Sequence, residues 1–508
     1  MDKKGSLRGK QEYIWDTGHF FAAHSVKKIS QKYIVSTIIF LIVFVFANQP
    51  TYAQRAVEAF TDIDTTLFDS LQIDRIFIVG NKKTKEKIIV RELDFNANQI
   101  ISTKNLVERI KRNEDNIFNT RLFLTVKISM ILIQDNMVDV IIRVAERWYL
   151  FPIPVFELAD RNFHDWWVNQ NHDLKRIELG LKLYQYNVRG MNETLKLTGQ
   201  VGFTKRFQIA YGFPFIDKKQ RIGLNLLFDY LLNKNINYQT VEHKYKFLDS
   251  RNWLREQYIG GLSLTYRKSL YNLHTIGINY YNSQVNDTIV ELNPNYFENG
   301  SDQQYFRFYY TYVHDMRDIK AYPLEGSYFI GRIEKLGLGI VDNVNVFGAS
   351  ALYNRFFNLG KHFYFTAGVG GAMYVPESQP YILFNSMGRG QFTLRGYELY
   401  VIEGPYFIQN QYTLRKRLFQ TEQDLKNILS AKQFSRFHIA LYIKSYFDLG
   451  YVKGYAGNDL NTDFTNQLIY GGGAGFDLVT FYDIVMRFEY SINKAGESGF
   501  VFGIRSIF

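Results

Sequence analysis

The residues best suited to chemistry in this chain sit in three short segments. His314–Tyr328 (HDMRDIKAYPLEGSY) holds Asp315, Arg317 and Asp318 close together, with Pro323 and Gly326 after them. Gly388–Tyr397 (GRGQFTLRGY) ends in Leu394, Arg395, Gly396 and Tyr397, and Tyr446–Val452 (YFDLGYV) carries Asp448. Carboxylates and guanidiniums of this kind form ion pairs and forked hydrogen bonds. Asp315, Arg317 and Asp318 read as charges on a strand wall, a ladder facing a wet lumen, rather than a metal site. Arg395 has a plain alternative as a surface-loop residue with a solvated partner. Nothing points to catalysis: there is no H-E-x-x-H, no G-x-S-x-G and no Walker loop. The nine histidines are scattered, and Gly471–Gly475 (GGGAG) sits in strand context without a following helix. The chain has no cysteine, which excludes thiol catalysis, thiolate metal sites and a disulfide framework. We expect no enzyme, no cofactor and no metal.

Such residues must be positioned by strands, because from Trp148 onward the sequence alternates with a period of two. In Arg176–Tyr186, Ile177, Leu179, Leu181 and Leu183 share one face, opposite Arg176, Glu178 and Lys182. Arg221–Tyr230 repeats the pattern with Ile222, Leu224, Leu226 and Phe228. The last segment, Gly499–Phe508, puts Phe500, Phe502, Ile504 and Phe508 on one face. Alternation alone also suits a soluble sandwich, and a terminal strand suits either. A load of 37 Tyr, 43 Phe and 37 Gly with mean hydropathy −0.21 favours a membrane barrel with aromatic girdles over helical spans. The expected fold is a transmembrane antiparallel β-barrel over 148–508. At roughly 20–25 residues per strand and loop, that length gives about 16 strands.

The N-terminus reads as an address. Lys27, Lys28 and Lys32 precede the apolar run Tyr33–Ala47, and Asn48–Ala53 ends in a small residue. This is the pattern of a secretory signal peptide, with cleavage expected after Ala53. The run is shorter than the ~20 residues that a spanning helix needs. We divide the chain into an extension and signal peptide (1–53), a linker (54–71), a small domain (72–147) and the barrel (148–508). The formal charge of +11 is spread over 508 residues, which suits contact with anionic lipid headgroups as well as it suits nucleic acid. We expect no nucleic-acid partner.

The small domain has the order β-α-α-β-β. Ile73–Val79 alternates and stops at Gly80-Asn81, Lys85–Leu93 and Lys104–Ile110 have helical spacing, and Phe123–Ile133 and Met137–Glu146 are β-rich. Ile76–Asn81, Thr84, Arg91-Glu92-Leu93 and Asn119–Phe123 with Val126 resemble a polypeptide-transport-associated (POTRA) domain. That resemblance implies a periplasmic domain that binds unfolded clients or partners, often by adding a strand to a sheet edge.

Three barrel segments sharpen the resemblance. Leu394-Arg395-Gly396-Tyr397 is similar to the sixth-loop signature of the BamA/TamA superfamily of outer-membrane assembly and translocation barrels (the bacterial surface antigen family). His314–Tyr328 is similar to its Asp-x-Arg-Asp…Pro-x-x-Gly strand, and Tyr446–Val452 to its Phe-Asp-x-Gly strand. The resemblance covers nearly all of 72–508 and implies a short, single-POTRA member in a Gram-negative outer membrane. It implies that the loop folds into the lumen with Arg395 on Asp448. Gly396 would permit the tight turn, and Tyr397 would anchor the tip. It further implies a seam between Gly499–Phe508 and a first strand near Pro152–Leu158 or Arg176–Tyr186, which opens so that a client strand can template on it. Unfolded outer-membrane or secreted proteins are the implied clients and outer-membrane lipid the surroundings, with periplasmic chaperones or accessory subunits as further candidate partners. A passive channel and a two-partner-type secretion pore are the alternative functions. Gln420–Phe434 has helical spacing at Leu425, Ile428 and Leu429, so a short amphipathic helix is expected there.

Overall fold

In the computed structural model, the described residues are 19–22, 68–158, 177–341, 344–388, 390–424 and 436–505. They form an N-terminal α+β domain and a sixteen-stranded antiparallel barrel wall.

The α+β domain is a four-stranded sheet in the order 100–102, 70–79, 137–146, 123–134. Ser70–Val79 runs parallel to Met137–Glu146, and the other pairings are antiparallel. The helices Glu86–Val90 and Leu106–Phe118 cover one face. Alternation in the strands and four-residue spacing in the longer helix send Leu71, Ile73, Ile110, Ile117, Val140 and Ile142 into a single core. Two features differ from the sequence expectation. The second helix runs to Phe118, and a short strand, Ile100–Ser102, pairs at the edge. Three residues are too few to show a period of two.

The barrel wall starts at Leu150–Leu158, ends at Ser498–Arg505, and pairs its strands in sequence order. Leu150–Leu158 is therefore the first strand, with Ile177–Tyr186 second. Apolar side chains face outward, among them Leu226, Phe228, Leu262, Ile276 and Phe488, while Thr198, Gln208, Asp229, Asn279 and Glu489 are buried inside. In water, each such outward aliphatic side chain would forgo roughly 1.5–3 kcal/mol of burial. A continuous band of them is stable only against lipid, with the polar residues facing a lumen. In the last strand Phe500 is 71% exposed and Ile504 is also exposed, while Val501 points inward.

The last strand pairs with Val485–Asn493 on one side. Its other side pairs antiparallel with His19–Ala22, from His19 opposite Ile504 to Ala22 opposite Val501. Phe508, the apolar run 33–47 and the cleavage segment lie outside the described residues. Tyr406–Asp424 continues as strand through the start of the expected helix, and 425–435 lies outside the described residues.

Candidate functional site

Within the barrel, Arg395 reaches the wall from a loop. Its Nε donates to Asp448 Oδ2 at 2.8 Å, its Nη2 donates to Asp448 Oδ1, and its backbone N–H donates to Oδ2 at 3.1 Å. Nη1 donates to Thr413 Oγ1 at 2.9 Å, and Nη2 also reaches the Tyr412 carbonyl at 3.2 Å. The guanidinium lies 4.1 Å from the Tyr446 ring centroid. Asp448 is 0% exposed, so its charge rests wholly on these donors and on Gln411 Nε2. A carboxylate held this way, by a forked guanidinium and a backbone donor, is fixed in direction as well as in charge.

The wall is cut to fit the loop. Tyr446 and Asp448 stand opposite Gly473 and Gly471 on the next strand. A Cβ on Gly471 would lie 2.1 Å from the Arg395 carbonyl oxygen, so only glycine lets the loop approach so closely. Gly396 has φ +93°, the left-handed region that glycine enters without strain. Its N–H is held by the Glu398 carboxylate at 3.0 Å, and its carbonyl accepts from Asn493 Nδ2 at 3.1 Å. Tyr397 Oη donates to the Tyr470 carbonyl at 3.1 Å. Leu394 and Tyr397 are buried with Met387, Ile402, Phe407 and Phe464. The sequence pattern had singled out Arg395 and Asp448. It missed Thr413, Tyr446 and Gly471, although glycines at 471, 473 and 475 on one strand face signal a surface against which something packs.

Farther out, the hairpin 235–249 folds over this loop. Thr240 Oγ1 donates to Glu403 at 2.7 Å, and the Val401 N–H donates to the His243 carbonyl at 2.8 Å. The lumen is thus crossed by the loop and roofed by the hairpin.

The segment with Asp315, Arg317 and Asp318 departs from the expected wall ladder. Asp315 ends a strand, and the rest forms a turn before the next strand begins at Gly326. Arg317 grips Asp315 with two hydrogen bonds of 2.7 Å. Asp318 accepts from the Leu324 N–H at 3.0 Å, just after Pro323. Gly326 has φ +101°, and a Cβ there would lie 2.0 Å from the Met316 carbonyl oxygen. Carboxylate-to-backbone bonds and a guanidinium two residues from its partner suit a tight turn better than an extended strand. Among the described residues, no group of three acidic or histidine side chains could hold a metal ion.

The α+β domain docks on this turn and on four others at the same end of the barrel. Asn119 Nδ2 donates to the Asp318 carbonyl at 2.7 Å, and its Oδ1 accepts from the Lys320 N–H at 2.9 Å. Thr84 Oγ1 accepts from Asn187 Nδ2 at 2.9 Å, and the Lys85 N–H donates to the Gly190 carbonyl at 2.9 Å. Phe215 lies beneath Lys87 and Arg91. Arg267 donates to both Glu92 carboxylate oxygens at 2.6 Å. Arg147 donates to Asp483 at 2.7 Å. Burial at this junction pushes the Asp318 carboxyl up and the Lys320 ammonium down from their ordinary ranges.

Residues 71–147 match the POTRA family, described as "Surface antigen variable number repeat". They form a POTRA domain. The POTRA residues quoted from the sequence, Thr84, Glu92 and Asn119, are thus residues that fasten the domain to barrel turns. The chain is similar in fold to CdiB from Escherichia coli, with 10% identity, 85% of this chain and 76% of that one covered, and a TM-score of 0.50. BamA from Haemophilus ducreyi lacking POTRA domains 1–3 overlaps with 15% identity, 85% and 84% coverage, and a TM-score of 0.49. No curated protein matches the sequence. The chain thus places one POTRA domain ahead of a sixteen-stranded barrel wall.

Proposed function

We propose that this protein inserts or translocates protein clients at the outer membrane, with its POTRA domain in the periplasm and its seam strand as the template. The observation that carries this reading is a POTRA domain fastened to the turns of a barrel whose wall ends on the strand Ser498–Arg505. An unpaired edge in lipid costs several kcal/mol per unsatisfied group, so a strand leaving this edge must be replaced by another strand. The POTRA sheet supplies a second acceptor. Phe123–Gln134 is its outer edge, and Ile131, Leu132 and Ile133 are exposed there. A loop and a roofing hairpin across the lumen fit poorly with a passive channel. A two-partner-type secretion pore is the second reading and differs in the fate of the client. The mechanism is strand exchange and needs no covalent step.

Outer-membrane proteomics after depletion, with Arg395→Ala for comparison, tests the proposal. Loss of a defined set of barrels or surface proteins in both strains is expected. An unchanged proteome with altered small-solute permeability would overturn it.

A further inference from the structure

Where the POTRA-side rim of the barrel enters the bilayer, two hollows meet at Lys268. The first, about 390 Å³, lies between the helix Glu86–Val90 and the turns near 217–221 and 267–270. It is lined by six cations: Lys87, Arg91, Lys219, Arg221, Arg267 and Lys268. The carboxylates at hand are already engaged. Glu92 is held by Arg267, and Asp217 Oδ1 accepts the Arg221 and Ile222 N–H groups at 2.8 Å each. Lys219, Arg221 and Lys268 form no ion pair among the described residues. Gathering uncompensated cations in one cleft is unfavourable unless an anion occupies it.

The second hollow, about 480 Å³, opens on the outer wall. Lys268 shares it with Asn272, His274, Tyr310 and Tyr312. The Tyr312 hydroxyl donates to Asn272 Oδ1 at 2.6 Å, and His274 Nδ1 meets the Tyr310 hydroxyl at 2.7 Å. These rings continue into the exposed Tyr266 and Ile276 of the apolar band, as side chains do at the water boundary of a bilayer. Ile216, at the tip of the neighbouring turn, is also exposed.

We propose that the joined hollows bind an anionic phospholipid of the POTRA-side leaflet. Its phosphate lies among Lys219, Arg221 and Lys268, and its acyl chains lie against the aromatic outer wall. Because Lys87 and Arg91 come from the POTRA helix, the bound headgroup also ties that domain to the barrel. This lipid seat stands independently of whether clients are inserted or exported.

The test uses the full-length protein in vesicles of equal phosphatidylglycerol and phosphatidylcholine, with retained lipid read by native mass spectrometry. Phosphatidylglycerol is expected to be retained preferentially. Lys268→Gln should weaken retention about fivefold, and the triple change with Lys219→Gln and Arg221→Gln should abolish the preference. Lys218→Gln, in the same turn but outside the hollow, should leave it unchanged. Heat-modifiable migration verifies folding, and the single Lys268→Gln variant carries the test if the triple variant does not fold. Equal retention of the two lipids, or full retention by Lys268→Gln, would overturn the proposal. Displacement by soluble glycerol phosphate would mark a free-phosphate site and overturn the lipid assignment.

Discussion

Glu92 and Arg267 join the POTRA domain to the barrel through two parallel hydrogen bonds of 2.6 Å. Glu92 follows the first POTRA helix, and Arg267 closes a wall strand. Both side chains are largely buried, so removing one leaves the other charged and poorly solvated. Glu92→Gln is expected to loosen docking without unfolding either part. Hydrogen exchange in Glu86–Val90 should rise, while the barrel wall remains protected. Unchanged exchange would show that the remaining turns hold the domain without this pair.

Arg395→Ala leaves Asp448 buried with neither its fork nor its counter-charge. Breaking such a pair costs about 3–5 kcal/mol. The variant is expected to lose client assembly and to unfold at lower denaturant concentration. Asp448→Asn keeps the shape and one acceptor, so the loss should be smaller. Equal loss in both variants would assign the effect to charge rather than shape.

Gly471→Val tests the same site from the opposite wall. The added side chain occupies the place of the Arg395 carbonyl oxygen, so the loop must move. Protease sensitivity of 388–403 should increase, with activity falling to the level of Arg395→Ala. Gly499→Ala is the control, because a Cβ there meets nothing within 4 Å.

The junction should respond to pH through Asp115. Burial, followed by Asp318, Glu114 and Glu325, raises its carboxyl to about 7 against the opposing pull of Lys111. The folded state therefore holds a proton that the unfolded chain releases near pH 4. Between that pH and about 7 the native state binds more protons, so stability falls as pH rises through this window. Exchange in Leu106–Phe118, corrected for intrinsic rates, should be slower at pH 5.5 than at pH 8. Asp115→Asn should flatten that difference, and a difference that persists would place its origin elsewhere.

The barrel was legible because strands alternate, as at Leu226 and Phe228, and because the load of Tyr, Phe and Gly favours a membrane barrel over a soluble sandwich. Arg395 and Asp448 were legible through a resemblance in their flanking residues, whereas Gly471 looked like an ordinary strand glycine. Its meaning depends on a loop some 75 residues earlier in the chain, and no local pattern encodes that contact. Arg317 and Asp318 were misplaced for a related reason. Charged residues after an alternating run look like more strand until Gly326 is seen to need a positive φ. The POTRA residues Thr84, Glu92 and Asn119 could be recognised, but their partners, Asn187, Arg267 and the 318–320 backbone, lie in turns without a shared signature.

The turn that receives Asn119 also sends Tyr322 into the lumen, where its hydroxyl donates to Asp477 at 2.9 Å. Asp477 in turn holds Lys444, which also pairs with Glu489. This single turn therefore touches the domain on one side and the interior charges on the other. The contact that seats the domain and the contact that reaches the buried charges therefore lie within a few residues of one another.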